Sequence, residues 1–293
     1  MKICIFAGAG ELPISLYNEA VRKGLDVKLL IIENQYADSL EQISCNNSND
    51  LLGKEDQSFE YYNNDNYKDI AEEVIIGRLT ITEVKKSIEI CRSNNITHIV
   101  FAGYVARPNL SSIKTDFEGA KLLGQILKNK FLGDDNLLSS ILQFYESKGF
   151  EILGASDLIE DHEIKSKNIP AKYDFNNIDL GIKLLKKLSE IDVGQSAIIS
   201  DSRVIAIEAA EGTDEMIRRS RKYLGNRSVL LKIPKEGQDM RVDMPTIGTK
   251  TIDLCIECGI SGIAISKNVI ILSKKESIEK ANKFGLYIHE IKN

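Results

Sequence analysis

The opening stretch, residues 1–32, constrains the fold more than any other part of the chain. MKICIFA is an apolar, strand-like run that Gly8-Ala9-Gly10 breaks off. Leu12, Leu16 and Ala20 then recur at helical spacing as far as Lys23, and Gly24 closes the helix. Val27–Ile32 is a β-branched and leucine run interrupted only by Lys28, the mark of a strand covered on both faces. Strand, glycine turn, helix and strand make one βαβ unit, so the sheet is expected to be parallel with a right-handed crossover.

The chain is 293 residues long, and domains of roughly 100–200 residues predict two. Residues 34–68 lack periodicity. Asn46-Asn47-Ser48-Asn49-Asp50 and Asn63-Asn64-Asp65-Asn66 read as surface loop. The pattern resumes at Val74–Ile76, with a helix near Thr80–Ser93 and a strand at His98–Ala102. Ligands of open α/β sheets sit beyond the carboxyl ends of strands, so the loops Gly8–Pro13 and Gly103–Pro108 are expected to face one crevice. Helices follow over Glu118–Lys128 and Asp135–Lys148, and Gly133-Asp134-Asp135 between them suggests a boundary at 132–136. The fold class is therefore two-domain α/β. Residues 1–132 form a Rossmann-like parallel sheet with helices on both faces, and 136–293 a mixed α/β domain.

In the second half a helix over Asn177–Glu190 precedes Ser196–Ser200 and Val204–Ala209, a β-hairpin around Asp201-Ser202. A helix at Glu215–Tyr223 takes Thr213 as its cap. A strand at Val229–Ile233, a polar loop at Pro234–Met244 and a helix at Thr249–Cys258 come next. Gly262–Ile265, Val269–Leu272, Lys274–Phe284 and Leu286–Ile288 complete the domain.

Several function classes fall away. A formal net charge of −5 disfavours nucleic-acid binding, which wants a basic face. No run reaches the roughly 18–20 apolar residues of a membrane span, and the apolar start is too short for a signal-peptide core, so a cytoplasmic location is expected. Five scattered cysteines suit a reducing compartment, and Cys255 and Cys258, in a helical pattern with no second pair, read as buried thiols. The three histidines, His98, His162 and His289, assemble no site. G-x-S-x-G and G-x-x-x-x-G-K-[ST] motifs are absent from the sequence.

Four stretches carry candidate chemistry. Gly8-Ala9-Gly10-Glu11-Leu12-Pro13 is half of a dinucleotide fingerprint, with Pro13 at the third glycine position and Glu33 where a ribose-binding acid would sit. It is either a nucleotide loop or a plain tight turn. Glu208, Glu211 and Asp214 lie within seven residues at a strand end and helix start. They suit Mg²⁺ as oxygen ligands, or simply the helix dipole. Lys232 and Lys235 can pair with phosphate or be solvated. Asp239, Arg241 and Asp243 alternate, so an extended segment would put them on one side as a phosphate and metal site. The bland alternative is a surface Asp–Arg network.

Taken together, these stretches resemble the LpxI-type UDP-2,3-diacylglucosamine pyrophosphatases of lipid A biosynthesis, which serve Gram-negative bacteria lacking the metallophosphoesterase version. The resemblance runs through AGAGELP (7–13), FAGYVARP (101–108), GDDNLL (133–138), IEAAEGTDEMIRR (207–219), KIPKEGQDMRVDMPTIG (232–248) and GLYI near the end. It implies hydrolysis of UDP-2,3-diacylglucosamine to UMP and 2,3-diacylglucosamine 1-phosphate, dependence on Mg²⁺, and two domains that clasp the lipid. It also implies that Asp243 is the essential acid. Arg241 and Lys232 are then expected beside Asp243 in catalysis, with Asp243, Asp214 and Glu211 as metal ligands. Gly8, Ala9, Gly10, Leu12, Pro13, Gly103, Arg107, Thr213 and Thr246 are expected to bind substrate. The acyl chains imply peripheral contact with the inner membrane, and a homodimer is the default assembly. The competing readings are an NAD(P)-dependent oxidoreductase and a non-catalytic UDP-sugar-binding protein.

Overall fold

The computed structural model describes residues 1–33, 67–68, 70–105, 114–128, 134–159, 164, 166–172 and 174–291. The asparagine-rich segments at 46–50 and 63–66 lie outside them, as do Arg107 and His162. The chain divides into two compact units, Met1–Glu160 and Asp161–Asn293.

In the first unit, β1 (Lys2–Ala7) buries every residue from Ile3 onward. Strand β2 (Asp26–Glu33) lies parallel to it on one side and β4 (His98–Ala102) on the other. With β3 (Ile75–Thr80) and β5 (Glu151–Leu153) the order is β3-β2-β1-β4-β5, all parallel. The parallel pairing is what the opening βαβ unit predicts, and the order is Rossmann-like, with its switch point between β1 and β4. Among the described residues this unit also contains the helices α1 (Leu12–Arg22), α2 (Val84–Ser93), α3 (Phe117–Lys128), α4 (Asp134–Ser147) and the short α5 (Ala155–Leu158). Helix α2 starts later than the periodicity suggests. The Glu83 carboxylate accepts the Thr80 N–H at 2.9 Å, so a tight turn separates strand from helix.

The boundary expected at 132–136 is wrong by more than twenty residues. Strand β5 pairs with β4 through His98↔Glu151, Ile99↔Ile152 and Val100↔Leu153. From α4, Tyr145 packs edge-on against Phe6 and Phe101 at ring separations of 5.3 and 5.5 Å. Such pairs add about 0.5–1.5 kcal/mol each beyond their burial, and they tie α4 and β5 to the first sheet. The Gly133-Asp134-Asp135 signal precedes a helix of the same unit instead of separating two.

The second unit is a mixed sheet ordered β12-β10-β8-β6-β7. β6 (Ser196–Ser200) and β7 (Arg203–Ile207) form the expected hairpin, with left-handed Asp201 and Ser202 at its turn. β8 (Val229–Lys232) runs antiparallel to β6 and parallel to β10 (Gly262–Ser266), which pairs with β12 (Tyr287–Ile291). Helix α6 (Asp174–Ser189) covers one face, packing Ile178 and Leu185 on Ala197, Ile199, Val229, Leu231 and Ala264. The other face carries α7 (Gly212–Ser220), α8 (Thr249–Cys258) and α9 (Lys274–Lys283) over Ile198, Leu230, Ile263 and Ile265. In a two-stranded parallel ribbon, β9 (Thr246–Ile247), just before α8, pairs with β11 (Ile270–Ile271), which lies within the expected Val269–Leu272 run; β9 itself had no sequence signature. Cys255 is fully buried and Cys258 partly so, both as thiols, and burial pushes each thiol pKa up.

Candidate active site

In the first unit the two loops at the switch point do meet, but as backbone on backbone. Gly8 N–H donates to Ala102 O, Ala9 N–H to Tyr104 O and Tyr104 N–H to Ala9 O, each at 2.8 Å. A Cβ on Gly8 would stand 2.5 Å from Tyr104 O, and one on Gly103, whose φ is +86°, would stand 2.7 Å from Ala9 O. The glycines are therefore required by the crossing of two loops. The Gly8 carbonyl is in turn capped by the buried Tyr67 hydroxyl. Of the amides a nucleotide phosphate would use, those of Gly8 and Ala9 are already bonded, and Pro13, at the start of α1, has none. This weakens the support for the oxidoreductase reading. Leu12 opens α1 as expected, and Arg107 lies outside the described residues.

The second unit holds a charged cluster that strand geometry explains. Along β8, Val229 and Leu231 face α6 while Leu230 faces α7 and α8. Alternation sends Lys232 to the same side as Leu230, where it is 5% exposed. A lone buried cation costs several kcal/mol. Here the Lys232 ammonium donates to Thr213 Oγ1 at 2.6 Å, and Glu208, Asp214 and Asp243 all act on it as opposite charges. Burial is the larger influence and pushes the Lys232 pKa down, and the three carboxylates push it partly back.

The hydrogen directions around Thr213 follow from donor inventory. An ammonium can only donate, so Thr213 Oγ1 accepts from Lys232 and gives its own proton to Glu208 Oε1 at 2.9 Å. Ser196 Oγ, 3.2 Å away, is then a second donor to Thr213. Ser196 is the cross-strand partner of Lys232 in the β6–β8 pair, which puts both on one face. The other Glu208 oxygen accepts the Gln195 N–H at 3.2 Å. Asp214 accepts a hydrogen bond from Thr251 Oγ1 of α8 at 2.9 Å. Thr213 is thus no helix cap. Helix α7 starts at Gly212 with Glu211 at the cap position, and Thr213 turns inward.

Residues 237–244 correct a second expectation. Val242 N–H and Asp243 N–H both donate to Asp239 O, at 3.1 and 3.2 Å, so the segment is a tight turn and not an extended strand. Arg241 folds back on Asp239, Nε to Oδ1 at 3.0 Å and a terminal nitrogen to Oδ2 at 2.7 Å. This bidentate pair holds the Asp239 carboxyl below the usual carboxylate range. The turn thereby parts Asp243 from Asp239 and delivers it to Lys232. Asp243 Oδ2 accepts a hydrogen bond from Gln238 Nε2.

A family model for the LpxI C-terminal domain matches residues 162–289, and one for the LpxI N-terminal domain matches residues 57–162. This chain belongs to the LpxI family. The two family models meet where the structure divides. A curated LpxI relative, the UDP-2,3-diacylglucosamine pyrophosphatase of Caulobacter vibrioides (strain ATCC 19089 / CIP 103742 / CB 15), is 32% identical over 71% of this chain and 79% of its own length. A solved Thermotoga maritima diaminohydroxyphosphoribosylaminopyrimidine deaminase/5-amino-6-(5-phosphoribosylamino)uracil reductase shares 19% identity over 40% of this chain and 37% of its own. Its TM-score of 0.26 is too low to bear on this LpxI fold.

Within the second unit of this LpxI chain, Asp243, Lys232, Thr213 and Asp214 gather as the sequence suggested. Glu211 does not join them: its carboxylate is held by Arg219 Nε at 2.9 Å and a terminal nitrogen at 2.5 Å. Among the described residues no three Asp, Glu, His or Cys side chains converge as a metal cage. The acids around Lys232 fit instead a hard cation that takes one or two carboxylates and fills its shell with water and phosphate, as Mg²⁺ does. Thr246 sits in β9 and donates to Met244 O at 3.2 Å. Lys235 pairs with Asp192. His98 bonds Thr97 and Glu151, and His289 stacks edge-on with Phe175.

Sequence reasoning missed Ser196, Gln238 and Thr251, and read Glu208 as a metal ligand or helix-dipole acid where the structure makes it the acceptor of the Thr213 hydroxyl. Ser196 was reachable by pairing the hairpin strand with Val229–Lys232. Gln238 and Thr251 had no local signal, because their partners come from a turn and from a second helix.

Proposed function

We propose that the chain hydrolyses the pyrophosphate bond of UDP-2,3-diacylglucosamine, giving UMP and 2,3-diacylglucosamine 1-phosphate in lipid A biosynthesis. The observation that carries this reading is the Lys232 ammonium, buried in company with Asp243, Asp214 and Glu208 inside an LpxI C-terminal domain. The activity for which the Caulobacter relative is named supports the substrate.

Lys232 presents a fixed positive charge to phosphate oxygens, and its hold on Thr213 and Glu208 keeps that charge in place without reorganisation. Asp243 accepts a hydrogen bond from the attacking water and aims it at phosphorus. Water adds across the P–O–P bridge: its oxygen bonds to one phosphorus, the bridging oxygen leaves with the other, and the surplus proton passes to solvent. Asp243 and Asp214, which both act on Lys232, would hold Mg²⁺. That ion would neutralise the pyrophosphate charge when bound. Arg241 reaches phosphate only by sharing its fork with Asp239.

The acyl chains tie the substrate to a bilayer, so membrane contact in this proposal is peripheral. No helix among the described residues is long and apolar enough to cross a membrane. The test is to incubate the purified protein with UDP-2,3-diacylglucosamine and Mg²⁺ and follow UMP and the lipid phosphate. Release that EDTA abolishes and Mg²⁺ restores is the expected result. Binding without release at high protein and Mg²⁺ would instead make it a UDP-sugar-binding protein. Sedimentation of the same sample tests the homodimer.

A further inference from the structure

The loop that carries Asp243 contains one buried side-chain amide, Gln238, which is 8% exposed. Its two ends are not interchangeable. The Lys235 N–H donates to Gln238 Oε1 at 3.0 Å. A main-chain N–H cannot accept, so the oxygen must face it and the NH₂ must face the other way. Facing that NH₂ is Asp243 Oδ2, which receives its hydrogen bond. A backbone group thus decides which way the amide points, and the amide decides which oxygen of Asp243 is occupied.

We infer that Gln238 is a positioning residue for Asp243: it holds Oδ2, fixes the carboxylate plane and leaves Oδ1 as the oxygen that meets water and substrate. This rests on the proposed pyrophosphatase reading. A carboxylate in a cleft can rotate between equivalent oxygens, and locking it removes a conformational cost from the reacting geometry. Gln238 has no other task visible in its bonds. Both of its ends are engaged within the loop, and neither reaches the sheet or the helices.

The test uses the full chain and Gln238→Glu, with Gln238→Leu as a second variant. Glutamate keeps the length and the oxygen that accepts the Lys235 N–H, but puts an acceptor where Asp243 needs a donor. Loss of a hydrogen bond to a charged group predicts a fall in kcat of roughly 10- to 100-fold in both variants. The dissociation constant for UDP-2,3-diacylglucosamine, measured in the Asp243→Ala background so that turnover does not interfere, is expected to change less than about 3-fold on adding either Gln238 change. In that background, residual turnover is expected to show no further loss from Gln238→Glu, because the group it positions is gone. Wild-type kcat in Gln238→Glu, a loss confined to binding, or an undiminished loss without Asp243 would each overturn the inference. If the wild-type chain releases no UMP, the proposed function fails and not the positioning role. Should Gln238→Glu lower the melting temperature sharply, Gln238→Leu gives the same comparison without the added charge.

Discussion

The two units place loops beyond the carboxyl ends of parallel strands, and the loops do opposite things there. After β1 and β4, backbone amides are committed to the facing loop, and glycines allow the approach. After β7 and β8, side chains from a hairpin, a strand, a turn and two helices converge on one buried ammonium. A glycine-rich turn at a switch point therefore marks closeness of chains, whatever it approaches. A run of alternating acids and bases marks chemistry only once strand alternation is known to turn them inward.

Four substitutions press on this contrast. The largest effect is expected from Asp243→Ala, a fall in UMP release of about 10³-fold with the fold intact by circular dichroism. Wild-type turnover would take the second-unit cluster out of the chemistry. Next comes Thr213→Val, which leaves the Lys232 ammonium and Glu208 without their shared hydroxyl. A broken buried network of this kind costs about 3 kcal/mol. Calorimetry should show a lower melting temperature, and Thr213→Ser should restore most of it.

Gly103→Ala tests the other side. A φ of +86° and a Cβ 2.7 Å from Ala9 O predict a loss of about 2 kcal/mol in denaturant unfolding. An unchanged midpoint would mean that the two loops part freely. The smallest effect belongs to Tyr67→Phe. It deletes one buried hydrogen bond to Gly8 O, worth about 1 kcal/mol. A larger loss would mean that this hydroxyl also serves the loop's function.

Much of the fold was legible because its signals are local. The runs at Ile3–Ala7 and Leu29–Ile32 are buried on both faces, as their lack of alternation implied. His98–Ala102 and Thr249–Cys258 were read to the residue. The boundary failed because Gly133-Asp134-Asp135 is equally good punctuation between two helices of one domain, and only the β4–β5 pairing decides the matter. In the site, Asp243 and Lys232 were legible by resemblance and by strand end. The extended reading of Asp239, Arg241 and Asp243 failed because Asp239 O captures two following amides, a turn that alternation of charge cannot foretell. Glu211 looked equivalent to Asp214, yet Arg219, eight residues on, takes it.

The small ribbon of β9 and β11 has a consequence for motion. Ile270 N–H donates to Pro245 O and Leu272 N–H to Ile247 O, each at 2.8 Å. The chain just past the acid-bearing turn is thus stitched to a segment more than twenty residues downstream. Such a seam couples the opening of the turn to the opening of the downstream segment. Deuterium uptake at Ile270 and Leu272 should keep pace with the slowest amides of β8 and β10, which makes these two positions quiet reporters of whether the acid-bearing turn is held shut.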